Sequence, residues 1–296
     1  MESTVVIVNR ETDLDAVRAA RLPTAEMLSL SVRGIDMGSP WATISHVEVG
    51  TVESACFIFD VADLQLVETP SPAALALLKA FLETSGIAKV VHDSRAPSDV
   101  LYRQCNILLR NVHDTQVWWS VLSSGDELHL ASFNDTLISY GCAPVPPRDE
   151  SALAETPAFW ATRPITDEMQ GWAVQEMEAL FRLQAAQNRL ATPAQEGRCY
   201  AESCVNLARF RDAYSDVVYV HASQLGPLIG SGGAHIRALE HKTGTEFMIR
   251  DAPRAFVVVY APSKKTLAAA IAELQSFTLP AAQTVYASAR ADDLVS

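Results

Sequence analysis

The chain has 296 residues, 49% of them hydrophobic and 20% charged, a composition that excludes disorder and favours about two packed domains. A net charge of −12 excludes a generic basic nucleic-acid binder. No apolar run approaches the roughly 18 residues that cross a bilayer, and the acidic opening "MESTVVIVNRETDLD" argues against a secretory or transit peptide and for the cytoplasm.

In chain order, "TVVIVN" predicts a short strand and "DLDAVRAARL" a helix with Asp at its start. Three β-rich runs follow, "MLSLSVRGI", "WATISHVEV" and "ACFIFDV", separated by Gly and polar residues. "SPAALALLKAFLE" is helical, with Ser71 and Pro72 as N-cap and first helical residue. The strand "AKVVHD" and the helix "PSDVLYRQC" come next, then helices at about 126–140 and 166–188. This order predicts an α/β fold, a mixed sheet flanked by helices. The stretch "ATPAQEGRCYAE" is expected to be a hinge.

From residue 215 the pattern reads β-α-α-β-β-α, with the glycine loop "LIGSGGAHI" between its first two helices. This segment differs in charge from the rest. Residues 215–277 hold six Lys/Arg and five Asp/Glu, a net of +1, which leaves 17 bases and 30 acids, or −13, elsewhere. Five cysteines (56, 105, 142, 199 and 204) with no CxxC pair predict single thiols rather than disulfides.

The glycine loop is not a Walker loop, since no Gly-Lys-Ser/Thr follows. It resembles the IGxxGxxI signature of type I KH domains, small α+β modules. The resemblance implies a clamp for about four unpaired nucleotides of single-stranded RNA, formed by Ile229, Gly230, Ser231, Gly232, Gly233, His235, Ile236 and Arg237. It departs from the family at Ser231 and Gly232, where a basic residue is common.

"AKVVHDSRAPSDVLYRQCNILLRNVHDTQVWWSVL" and "FWATRPITDEMQGWAVQEMEALF" resemble motifs of RNase D-like 3′–5′ exonucleases, of the Egalitarian type and with an RNase H-like fold. The implied division is an exonuclease-like domain over 1–190, a helical linker over 191–214, the KH segment over 215–280 and a tail over 281–296. Such exonucleases hold two Mg²⁺ or Mn²⁺ ions about 4 Å apart on four carboxylates, with a Tyr or His orienting the water. The family pattern is D-x-E on a strand, Asp on a helix and Tyr-x-x-x-Asp on another helix.

Carried over residue by residue, Asp36 takes the first carboxylate position and Gly38 the second, where the carboxylate is lost. Asp99 takes the third, Trp172 replaces the tyrosine, and Glu176 takes the last. Glu48, Asp93 and Asp114 are candidates to substitute. Losses at Gly38 and Trp172 point to a degenerate, non-catalytic exonuclease domain joined to an RNA-binding module. Two alternatives remain open: a metal-dependent 3′–5′ exoribonuclease using Asp36, Asp99 and Glu176 with Mg²⁺ or Mn²⁺, and a scaffold that binds proteins through its acidic domain. Trp118, Trp119 and Trp160 are expected in the core, as is Trp172.

Overall fold

Runs rich in Val, Ile and Phe form the strands of the first unit: β1 (Thr4–Val8), β2 (Met27–Ile35), β3 (Thr43–Thr51), β4 (Ala55–Phe59), β5 (Ala88–Val91) and β6 (Val112–Asp114). They make one six-stranded sheet in the order β1-β4-β3-β2-β5-β6. The β2–β3 and β3–β4 pairs are antiparallel; β1–β4, β2–β5 and β5–β6 are parallel. The computed structural model describes residues 4–10, 13–20, 22–62, 72–124, 131–146, 159–250 and 255–277.

The helices of this unit are α1 (Leu14–Ala19), α2 (Pro72–Glu83), α3 (Arg95–Cys105), α4 (Thr115–Ser124), α5 (Phe133–Ser139), α6 (Asp167–Leu190) and α7 (Pro193–Ala208). Both sheet faces are covered, and the period-2 alternation of β4 shows how. Phe57 and Phe59 join the core under α2 and α3, whereas Cys56 and Ile58 meet Met169, Ala173 and Met177 of α6. The expected mixed α/β sheet is present.

Two local expectations change, and one helix was not anticipated. The helix expected at about 126–140 is α5, and residues 125–130 lie outside the described residues, as do Ser71 and the tail from 278. The unanticipated helix is α4, "TQVWWSVLSS", where the Asp114 carboxylate accepts from Gln116 N (3.1 Å) and Val117 N (3.4 Å) and caps the helix. The expected hinge lies in α7, which is built into the first unit: Asn206 Nδ2 donates to Asp114 Oδ2 (2.8 Å) and Cys199 packs with Trp118. Trp118 is fully buried, as expected.

The second unit comprises the chain from Arg209 onward, with Gly38–Trp41 grouped into it. Its elements are β7 (Tyr214–Tyr219), α8 (Ala222–Ile229), a 3₁₀ turn (Ser231–Gly233), α9 (Ala234–Thr243), β8 (Glu246–Arg250), β9 (Phe256–Ala261) and α10 (Lys264–Phe277). The β-α-α-β-β-α order expected from the sequence is found, on an antiparallel sheet ordered β7-β9-β8. Central β9 is buried along its whole length, and Val257 and Val259 pack with Leu228, Leu239, Ala270 and Leu274. The Tyr260 hydroxyl donates to the Gly38 carbonyl, and the Trp41 ring lies 5.5 Å from Phe256.

His113 of β6 is stacked on Trp118 (3.8 Å between ring centres) and pairs through Nε2 with Gln187 Oε1 at 2.9 Å. Burial pushes its pKa down to about 4. Below the ordinary histidine value the unfolded chain therefore binds a proton that the folded chain refuses, so stability falls as pH drops from about 6.5 towards 4. Urea unfolding at pH 7 and pH 5 should differ by about 2 kcal/mol from this group, and His113→Gln should remove most of that difference.

Candidate functional site

Strand alternation places Ser31 and Arg33 of β2 on one face, and the β2–β3 register sets Glu48 opposite Ser31 and His46 opposite Arg33. Helix α6 brings Glu176 to the same face. Ser31 Oγ donates to Glu176 Oε1 at 2.6 Å, and Arg33 Nη2 donates to Glu176 Oε2. Arg33 Nε donates to Glu48 Oε1 at 3.3 Å, and the same oxygen pairs with His46 Nε2 at 3.2 Å. The Trp160 ring lies under the guanidinium, 5.8 Å from ring centre to the Arg33 Cζ.

These groups are largely withdrawn from water: the Arg33, Glu176 and Glu48 side chains are 19%, 14% and 5% exposed. Burial disfavours the Arg33 charge, but Glu176 and then Glu48 outweigh it and push its pKa up. The result is a permanent cation fixed between two carboxylates.

Just past Arg33 the strand pairing shifts register. Gly34 permits this, because a Cβ there would sit 1.9 Å from the Thr43 carbonyl oxygen. Asp36 lies beyond the end of β2 in a left-handed turn (φ 52°), and Gly38 belongs to the second unit (φ 83°). Neither is a strand residue facing Glu176. The structure therefore corrects the D-x-E placement: the i, i+2 pair that meets Glu176 is Ser31 and Arg33, five residues upstream.

Asp99 is also elsewhere engaged. It is buried on α3, where Arg103 one turn on grips it through Nε (3.1 and 3.0 Å) and Nη2 (2.8 Å). Asp36, Asp99 and Glu176 do not converge, and among the described residues no group of three or more His, Cys, Asp or Glu side chains is placed to hold a metal ion. Trp172 is half-buried, 5.4 Å from Phe159 and 6.1 Å from Trp160 between ring centres. Of the candidate substitutes, Glu48 enters the site.

Asp93 and Asp114 instead brace the strand ends. Asp93 takes Arg95 Nε (2.8 Å) and Nη2 (2.7 Å); burial opposes its ionisation, yet Arg95 holds its pKa below the usual range. Asp114 accepts from the backbone of Asp93 (3.1 Å) and Ser94 (2.8 Å), besides Gln116, Val117 and Asn206. Next to the Arg33 cage, a cavity of about 390 Å³ is lined by Ile35, Thr43, Ile44, Ser45, Gln104 and Trp160, among others.

Residues 42–190, about half the chain, match the 3′–5′ exonuclease family. The chain belongs to that family. An Egalitarian protein homolog of Caenorhabditis elegans is 28% identical over 167 residues, covering 53% of this chain and 28% of that protein. The match thus spans well under half of that relative's length. Trypanosoma brucei RNase D shares the fold at 18% identity and a TM-score of 0.59, covering 71% of this chain and 73% of that one. Escherichia coli RNase D does so at 13% and 0.54, covering 83% and 56%. The family match begins at residue 42, after β2 has ended, so it does not reach the strand that faces Glu176.

Exonucleases of this fold use divalent metals, and the groups around Glu176 do not suit them. A guanidinium already bonds to both carboxylates, and Ser31 occupies the second Glu176 oxygen. The second unit's loop takes positive φ at Gly230 (73°), Gly232 (56°) and Gly233 (77°). Ser231, Gly232 and Arg237 are exposed, Ile229 and Ile236 pack against the core, and His235 Nδ1 pairs with the Leu228 carbonyl at 2.9 Å.

Asp114→Ala removes a buried acceptor for five donors and should cost about 3–5 kcal/mol in urea unfolding. Asp99→Ala frees only a partly exposed Arg103 and should cost about 1–2 kcal/mol. The reverse ranking would overturn the bracing role given to Asp114.

Proposed function

We propose that this member of the 3′–5′ exonuclease family is a non-catalytic RNA-binding protein, with a KH-type second unit that holds single-stranded RNA. The observation that carries the first half is the bonding of Arg33 to both Glu176 and Glu48. Two-metal hydrolysis needs carboxylates free to coordinate cations. A buried guanidinium in that place competes by charge and by geometry. Trp172, without a hydroxyl, has no means of orienting a water as tyrosine would.

The second half is supported by the exposed glycine loop. Positive φ values at Gly230, Gly232 and Gly233 suit a backbone that approaches a ligand closely. A Cβ at Gly230 would sit 2.7 Å from the His235 Cβ, and one at Gly233 2.6 Å from Arg237 Nη1. Glycine is therefore required at Gly230, and at Gly233 the positive φ of 77° favours it, while Arg237 places its charge beside the loop for a phosphate. Ser231 and Gly232 present the turn to solvent. On this reading Ile229 and Ile236 anchor the loop, and His235 positions it from below. One relative in fold, Trypanosoma brucei RNase D, has been solved in complex with RNA U12, which is in keeping with an RNA ligand. The acidic remainder suits additional protein partners, since it repels phosphate away from the loop.

Full-length protein incubated with 5′-labelled single-stranded RNA in Mg²⁺ or Mn²⁺ should leave the RNA intact. Stepwise 3′ shortening that Glu176→Gln abolishes would refute the non-catalytic half. Binding to the same RNA should weaken at least about tenfold in the Ser231→Asp/Gly232→Asp variant, and Arg237→Ala should lower the salt slope by about one. Unchanged affinity in both variants would remove the loop from the interface.

A further inference from the structure

Helix α10 runs back along α9. Lys242, near the end of α9, pairs with Glu273 at 2.6 Å, and Leu239 and Leu274 share one core. This antiparallel course carries Phe277, the last residue of α10, to His235 in the first turn of α9. The two rings lie 4.8 Å apart between centres at 70°, an edge-to-face contact. His235 is itself held in place: its Nδ1 pairs with the Leu228 carbonyl at 2.9 Å, and its Cβ fills the space that a side chain at Gly230 would need. Phe277 is thus tied to the Gly230 end of the glycine loop, and Arg237 stands at the Gly233 end.

Phe277 is 46% exposed, the large apolar side chain most open to water among the described residues from Arg209 onward. Exposure alone would mean little; its place gives it meaning. The buried residues of α10 are Leu267, Ala270 and Leu274, so the core does not call for a ring at 277. The contact with His235 covers at most one face of that ring.

We propose that Phe277 is a stacking platform for one unpaired nucleobase of an RNA strand whose backbone lies along the glycine loop. The inference rests on the RNA-binding reading of that loop and deepens it, by adding a base contact to a backbone contact. Loop backbone and the Arg237 charge address phosphate, which paired and unpaired strands carry alike. An aromatic ring addresses the face of a base, which a duplex keeps covered by its neighbours and a single strand can offer. Every base has such a face, so the platform selects unpaired RNA without selecting its sequence.

The test uses the full chain and a short single-stranded RNA carrying 2-aminopurine at one position at a time, whose fluorescence is quenched on stacking. In the parent protein one position should be quenched on binding. Phe277→Leu keeps an apolar side chain but no ring; it should abolish that quenching and weaken binding about fivefold or more. Phe277→Tyr should retain both. The salt slope should not change in Phe277→Leu, in contrast to Arg237→Ala. An abasic nucleotide at the quenched position should weaken binding by the parent to a similar degree and add little to Phe277→Leu. Parental affinity and quenching in Phe277→Leu would overturn this inference and leave the loop reading standing. Equal losses in Phe277→Leu and Phe277→Tyr would also overturn it, since they would mark a packing role. Failure of the parent protein to bind the RNA at all would overturn both readings.

Discussion

A guanidinium held between Glu48 and Glu176 ties β2, β3 and α6 together on one face of the sheet. Taking these charges out of water is costly, and their mutual attraction repays the cost only where geometry is good and remaining lone pairs are met. Here Ser31 satisfies one Glu176 oxygen, His46 shares the Glu48 oxygen, and Trp160 supports the cation. Losing Arg33 would leave two buried carboxylates facing each other. The arrangement therefore constrains which residues β2 can present to α6, and the position of α6 in turn sets where Trp172 meets Phe159 and Trp160.

The scaffold around this point is that of the 3′–5′ exonuclease family, and its bracing is independent of the Arg33 cage. Asp114 joins the β5–α3 connection, the start of α4 and α7 through one carboxylate. A fold held this way tolerates exchange of its catalytic groups, because the bonds that position the strands lie elsewhere. The second unit has its own core, centred on β9, and offers a glycine turn whose backbone is open to solvent.

Much of this was legible in the residues. Apolar runs placed the strands, and "PSDVLYRQC" and "DEMQGWAVQEMEALF" placed two helices that the structure contains. Glu176 and Trp172 were located correctly on α6, because a helix motif carries its spacing locally. The residues of α7 looked like a hinge, since Gly197 and Pro193 mark loops, and only burial of Cys199, Ser203 and Asn206 against the first unit makes a helix of them.

What the sequence determined by itself was the class of fold, the two-part organisation with its contrast in charge, and the glycine turn, all of which depend on local pattern and composition. What the tertiary structure decided was the register of the site. Alternation along β2 says that residues two apart share a face, but Ser31 with Arg33 and Asp36 with Gly38 satisfy it equally. The choice is made by Glu176, 143 residues away from Arg33 in the chain, and by the shift in β2–β3 pairing after Arg33 that ends the strand before Asp36. Contacts over that separation leave no trace in local periodicity, so the cation at the centre of the site became visible only once α6 was laid against the sheet.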